Sequence, residues 1–264
     1  MHLPSFAIVG PQRSGTTLMR LILESHPDVE CHDEEEAYRV MERGYSTSAE
    51  TLVRGVKAPQ LTEQFCEAVF YSDAALLRGG DGSIVNRCDQ TKLIVMVRSV
   101  FDTVASMIDL PMWVEKHGWP VLHAKAIIDP MFGERYRNEF EIISAARHKA
   151  SVSAALIWLY KTDAIAGYQA CGRPLLCVRY EDLVLRTRAT LRKVVDFIGV
   201  AWDDALVRHE EVAHRELLPN GLAVGFTDPH RAVDGRSVGR WQKRQERMDL
   251  DAIERVCGDS RFYG

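Results

Sequence analysis

The chain has 264 residues, of which 46% are hydrophobic and 27% charged, and 33 basic against 37 acidic side chains leave a formal charge of −4. These proportions exclude a disordered or collagen-like chain. The slight acidity excludes the bulk basic field that draws nucleic acid or an anionic membrane, so an anionic ligand must be held by local arrangement.

The opening Met1-His2-Leu3-Pro4-Ser5-Phe6 has no basic stretch followed by an apolar one, so no secretory signal is expected. Purely apolar runs such as Leu93 to Val97 have about five residues, against the ~20 that span a bilayer, so no transmembrane segment is expected. The cysteines at 31, 66, 88, 171, 177 and 257 form no CxxC pair. They read as free thiols of a cytoplasmic protein, with structural disulfides the alternative.

Phe6-Ala7-Ile8-Val9, ending in Gly10-Pro11, reads as a buried strand entering a turn. Leu18, Leu21, Ile22 and Ser25 follow at helical spacing until His26-Pro27-Asp28 ends the helix. Lys92 to Arg98 reads as a second buried strand, with a helix after it carrying Val100, Val104, Met107 and Ile108. One long helical stretch is expected from about Glu134 to Ala170, then a strand at Leu175 to Tyr180, then a helix with Leu191, Val194, Val195 and Ile198 closed by Gly199. Alternating strands and helices predict an α/β fold with a parallel sheet, in one domain over residues 1–264. The aperiodic, Gly-, Arg- and His-rich stretch from Leu217 to Arg247 reads as a functional loop.

Gly10-Pro11-Gln12-Arg13-Ser14-Gly15-Thr16-Thr17 stands between strand and helix. Its glycines let successive N–H groups converge on one concavity, and the helix N-terminus adds positive potential, which together hold a phosphate. The spacing fits a Walker A loop, but Thr16 stands where that motif has lysine. This disfavours a P-loop kinase or nucleotide hydrolase, which remains an alternative together with a non-catalytic nucleotide-binding module. At the end of the second strand, the guanidinium of Arg98 suits a phosphate bidentately, and Ser106, about two helical turns on, can add a hydroxyl to the same anion.

The run from Pro11 to Arg20 resembles the 5′-phosphosulfate loop of sulfotransferases that use 3′-phosphoadenosine 5′-phosphosulfate (PAPS). It most resembles the tyrosylprotein branch, and the likeness continues through Ser25-His26-Pro27-Asp28-Val29-Glu30-Cys31-His32-Asp33-Glu34-Glu35, Val178-Arg179-Tyr180-Glu181-Asp182-Leu183 and Asp196 to Ala205. It is weakest at 67–90, 110–145 and 215–247. The resemblance implies a P-loop-like parallel sheet flanked by helices and transfer of a sulfuryl group to an acceptor hydroxyl, with 3′-phosphoadenosine 5′-phosphate (PAP) as the second product and no metal. It implies Glu34 as the base, Lys57 as the cation at the bridging oxygen, and Arg13 beside it. Ser14, Gly15, Thr16 and Thr17 would hold the sulfonate and 5′-phosphate, and Arg98 and Ser106 the 3′-phosphate. Tyr180 resembles the adenosine-side tyrosine, a core tyrosine being the alternative. Arg240, in Gly239-Arg240-Trp241, resembles a basic element over the nucleotide, where lysine is usual.

Two departures concern the acceptor. Glu36 and Val40 occupy the places where tyrosylprotein enzymes carry arginines that read acidic peptides, leaving Arg39 and Arg43 nearby. The cysteine expected to bond Cys31 in secretory relatives is missing before Lys57. Both favour a cytoplasmic enzyme with another acceptor, among phenolic metabolites, carbohydrates, lipids and tyrosyl peptides. His230 and Trp113 are further acceptor candidates, and a homodimer is left open.

Overall fold

The computed structural model describes residues 3–45, 52–59, 91–110, 119–170, 174–223, 225–260 and 262. By contact the chain divides into two compact units, one of Met1–Val97 with Ala164–Gly235 and one of Arg98–Asp163 with Arg236–Gly264.

The first unit holds a five-stranded sheet, β1 (Phe6–Val9), β2 (Val29–His32), β3 (Val53–Lys57), β4 (Lys92–Val97) and β5 (Leu175–Arg179), in the order β2-β3-β1-β4-β5. All four pairings are parallel. Phe6 to Val9 are wholly buried, as a central strand covered on both faces requires. The core gathers Phe6, Ile8, Met19, Ile22, Ile94 and Met96 from the sheet and first helix, with Val178 from β5 and Leu191, Val194 and Ile198 from the helix Thr187–Ile198.

The chain runs from β1 to one side for β2 and β3, then to the other for β4 and β5. The order therefore reverses beside β1, and the carboxyl ends of strands at such a reversal are where open α/β sheets bind ligands. Gly10 begins the turn at φ +133°, where a Cβ would lie 2.1 Å from the carbonyl oxygen of Met96. Only glycine allows that approach. Helix α1 (Thr16–Glu24) follows, and helix α2 (Glu34–Arg43) starts directly after β2.

In the second unit, helix Val100–Ile108 packs against the 3-10 turns of Arg240–Arg247 and against helix Leu250–Cys257, which also meets helix Arg137–Ala145. Here the structure corrects the single helix expected from Glu134 to Ala170. The chain forms Pro130–Arg135, Arg137–Ala145 and Lys149–Ala170, the last extending into the first unit. Extended Ala146 breaks the path, and Arg147 N–H donates to Asp249 Oδ2 at 3.0 Å, so the turn replaces helical bonds with a distant carboxylate. The stretch from Leu217 to Arg247 is also more ordered than a loop, with bridges at Leu217–Ala223 and Ala223–Thr227 and the turns at 240–247. Trp113, Cys66, Cys88 and Cys171 lie outside the described residues, as do the side chains of Glu35 and Arg43. No helix among the described residues is long and apolar enough to cross a membrane.

Candidate functional site

In the first unit the Gly10–Gly15 loop is closed from within. Ser14 is fully buried, and its hydroxyl donates to the carbonyl of Pro11 at 2.6 Å. Its hydroxyl therefore shapes the loop. Gly15 ends the loop at φ +95°, and a Cβ there would lie 2.5 Å from Cδ2 of Tyr180. Tyr180, 8% exposed, thus forms a wall of the loop. Arg13 takes the left-handed conformation at φ 67°, which costs a non-glycine residue about 1 kcal/mol or more. Its Nη1 donates to Gly225 O at 2.6 Å. At Gly225, φ +82°, a Cβ would sit 3.0 Å from that nitrogen and 3.7 Å from Thr17 Oγ1, so the glycine lets this segment descend onto the loop.

Parallel register places Lys57 beside Ile8 at the end of β1. Lys57 is 1% exposed, and its ammonium lies 2.7 Å from Asp33 Oδ1, 2.8 Å from Glu34 Oε1 and 3.2 Å from Thr17 Oγ1. Three elements thus converge on one buried cation. Glu34 is the first residue of α2, and Asp33 caps that helix by accepting the Glu34 N–H at 2.6 Å. Buried pairing of this kind needs such donors and acceptors, since an isolated charge would be strongly penalised. Thr16 and Thr17, both buried, open α1, where the positive end of the helix dipole faces the loop.

Reading the sequence missed the support around these groups. Arg20, fully buried on α1, lies 3.2 Å from Glu24 and 3.8 Å from Asp33. Glu216 stands at φ 54°, accepting from Asp33 N–H at 2.5 Å and hydrogen-bonded to His32 Nδ1 at 2.6 Å. Burial alone would lower the pKa of His32, but the Glu216 hydrogen bond and charge, with Glu30 and Glu36 behind it, outweigh that and raise it. Burial would raise Glu216, yet the bonds from His32 and Asp33 and the charges of His32 and Arg20 hold it below its ordinary value. Cys31 is a free buried thiol, pushed well above the usual thiol range by burial. Further along α2, Arg39 is tied to Glu36 and Val40 is 4% exposed.

The second unit holds the other expected residues. Arg98, 5% exposed, donates through Nη2 to the carbonyl of Ser237, while its own carbonyl accepts from Trp158 Nε1 at 3.0 Å. Ser106, also 5% exposed, lies on the helix that follows. Asp102 on that helix accepts from Gly239 N–H at 2.8 Å and Trp241 N–H at 3.0 Å, fixing the start of the 240–247 turns. Arg240 pairs with Asp109 at 2.9 Å, and Arg244 and Arg247 reach the same carboxylate at 2.9 Å each. Burial opposes ionisation of Asp109, but the Arg244 hydrogen bond and the three guanidinium charges lower its pKa overall. The basic residue expected at 240 is therefore one of three.

Residues 4–78 match the sequence profile described as Sulfotransferase family. The chain is 25% identical over 252 residues to the protein-tyrosine sulfotransferase of Drosophila melanogaster, spanning 84% of this chain and 43% of that protein. Over most of its length the chain is similar to sulfotransferases. Protein-tyrosine sulfotransferase A of Caenorhabditis elegans is 22% identical over 246 residues, 90% of this chain and 61% of that protein. For protein-tyrosine sulfotransferase 1 of Danio rerio the figures are 25% over 252 residues, 88% and 62%. The chain thus spans roughly half the length of these sulfotransferases. The sulfotransferase domain from the curacin biosynthetic pathway shares the fold at TM-score 0.58 and 15% identity, covering 98% of each chain. That of the Synechococcus PCC 7002 olefin synthase does so at 0.56 and 19%, over 97% of this chain and 94% of that one.

Proposed function

We propose that the chain transfers the sulfuryl group of PAPS to an acceptor hydroxyl, with PAP as the second product. The observation that carries this reading is the convergence of Glu34, Asp33 and Thr17 on Lys57 beside a phosphate loop that has no Walker lysine. The acceptor oxygen forms a bond to sulfur as the bond from sulfur to the 5′-phosphate oxygen breaks. Glu34 takes the hydroxyl proton, and Lys57 faces the charge that gathers on the leaving oxygen. Arg13, Thr16, Thr17 and the loop N–H groups orient the phosphosulfate, and Arg98 and Ser106 are assigned to the 3′-phosphate by resemblance. Arg13 and Lys57 supply the positive charge that phosphoryl-transfer enzymes take from Mg²⁺, so the reading needs no metal. A single working domain over 1–264 and a cytoplasmic location belong to the same proposal.

The acceptor is proposed to be neutral around its hydroxyl. Glu36 offers an acidic peptide like charge, and its ion pair with Arg39 occupies the nearby guanidinium. Transfer of labelled sulfate from PAPS across neutral phenols, sugars and an Asp/Glu-flanked tyrosine peptide tests both parts. Glu34→Gln should reduce turnover about 10²–10⁴-fold with PAP affinity little changed. Turnover lost to EDTA and restored by Mg²⁺ would overturn the metal-free reading, and preference for the acidic peptide would overturn the acceptor assignment.

A further inference from the structure

We infer that Glu216 is a positioning residue for the catalytic carboxylate, locking the end of β2 so that Glu34 is delivered to Lys57. The inference rests on the proposed role of Glu34. One carboxylate oxygen of Glu216 accepts the Asp33 N–H at 2.5 Å and the other is bonded to His32 Nδ1 at 2.6 Å, so the side chain fastens the two residues immediately before Glu34. Asp33 then uses one oxygen twice, for the Glu34 N–H at 2.6 Å and for Lys57 at 2.7 Å. A shift at Asp33 N would therefore move the helix cap, the base and the cation together.

Glu216 holds this place at φ 54°, a conformation that a residue other than glycine keeps only when its surroundings compel it. Arg20 completes the frame, 3.8 Å from Asp33 and 4.0 Å from Glu216, with Nη2 on the carbonyl of Arg215 at 3.3 Å. The residue before the strained position is thus anchored to α1 as well. Misplacement of a reacting group by about 1 Å can cost about 10²-fold in rate.

The groups facing His32 set the test. Glu30 lies 3.5 Å from its Nε2 and is itself engaged by Arg54 and Arg215, Glu36 approaches from α2, and the Tyr45 ring lies tilted against it at 5.7 Å. In Glu216→Gln the amide oxygen can still accept from Asp33 while its NH2 donates to a neutral His32, but not to a protonated one. In Glu216→Ala neither bond remains.

Hydrogen exchange at the Asp33 and Glu34 amides, PAP binding and steady-state transfer from PAPS should be measured in the wild type and both variants. Glu216→Ala should lose protection of those amides and fall about 10²-fold in kcat at every pH, with the KM for PAPS and the affinity for PAP little changed. Glu216→Gln should regain protection and rate as pH rises through the deprotonation of His32. Wild-type protection and kcat in Glu216→Ala, or loss in Glu216→Gln that ignores pH, would overturn the inference. A wild type that transfers nothing from PAPS would instead overturn the function proposed above, and amide protection alone would then decide whether Glu216 fixes the turn.

Discussion

The two units handle charge in opposite ways. Around Lys57 and Arg20 in the first, carboxylates outnumber cations, with Asp33, Glu34, Glu24 and Glu216 all within 4.0 Å of one or the other. Around Asp109 in the second, three guanidiniums share one carboxylate. The first arrangement suits holding a base and a cation in fixed register, because Lys57, Arg20 and Asp33 are buried and each is answered by an opposite charge. The second leaves positive charge in excess and partly exposed, which suits attraction of an anion. Sequence alone presents both as ordinary mixed charge, and only the partners separate them.

Removing the cation tests the first half most severely. Lys57→Met should abolish turnover and cost about 3–5 kcal/mol in urea unfolding, because two carboxylates lose their buried partner; a cost under 1 kcal/mol would mean that they are solvated. Acid should next weaken the first unit. His209 is fully buried, and burial, reinforced by His214 against Glu210, pushes its pKa down to about 4. The unfolded chain binds a proton below its ordinary value of about 6.5 that the fold refuses, so stability present above that pH falls by about 3 kcal/mol as pH drops toward 4. The same acid loss in His209→Leu would assign it to other groups.

Two smaller tests address the second half. Asp102→Ala should cost about 1–2 kcal/mol, since two N–H groups at the start of the 240–247 turns lose their acceptor, and should weaken PAP binding. Unchanged PAP affinity would detach that segment from the nucleotide. Asp109→Asn should cost no more than about 1 kcal/mol, as expected of a partly exposed ion pair. The Tm loss should shrink at high salt, because the three guanidiniums left behind repel one another less when screened. A loss independent of salt would indicate packing at that position.

What was legible in the sequence was local. Phe6–Val9, the glycine loop and α1 could be read because an apolar run, two glycines and a helical period lie within about twenty residues, and Gly199 closes its helix at φ 86° as expected. Val29–His32 alternates buried and half-buried residues over only four positions, too short a run to separate from a loop. The start of α2 did carry a signal, since Asp33 followed by Glu36 fits a capping pattern that the acidic run conceals. The break at 146–148 left no local mark because both flanks keep a helical period and Asp249, which holds the turn, is 102 positions away. Glu216 is bonded to His32 across 184 positions from within an aperiodic stretch. Its role belongs to the fold.

The parallel sheet also dictates when the site can come into being during synthesis. Phe6 lies opposite both Gly55 and Lys92, β4 meets a strand that begins at Leu175, and the wall behind Gly15 is Tyr180. At ribosomal speeds of roughly 5–20 residues per second, the emerging Phe6–Val9 segment waits on the order of ten seconds for that wall to be translated. The strand itself gains both neighbours once Lys92–Val97 emerges, but the glycine loop that follows it stays unwalled until Tyr180 does, so the sheet centre can form well before the loop is complete.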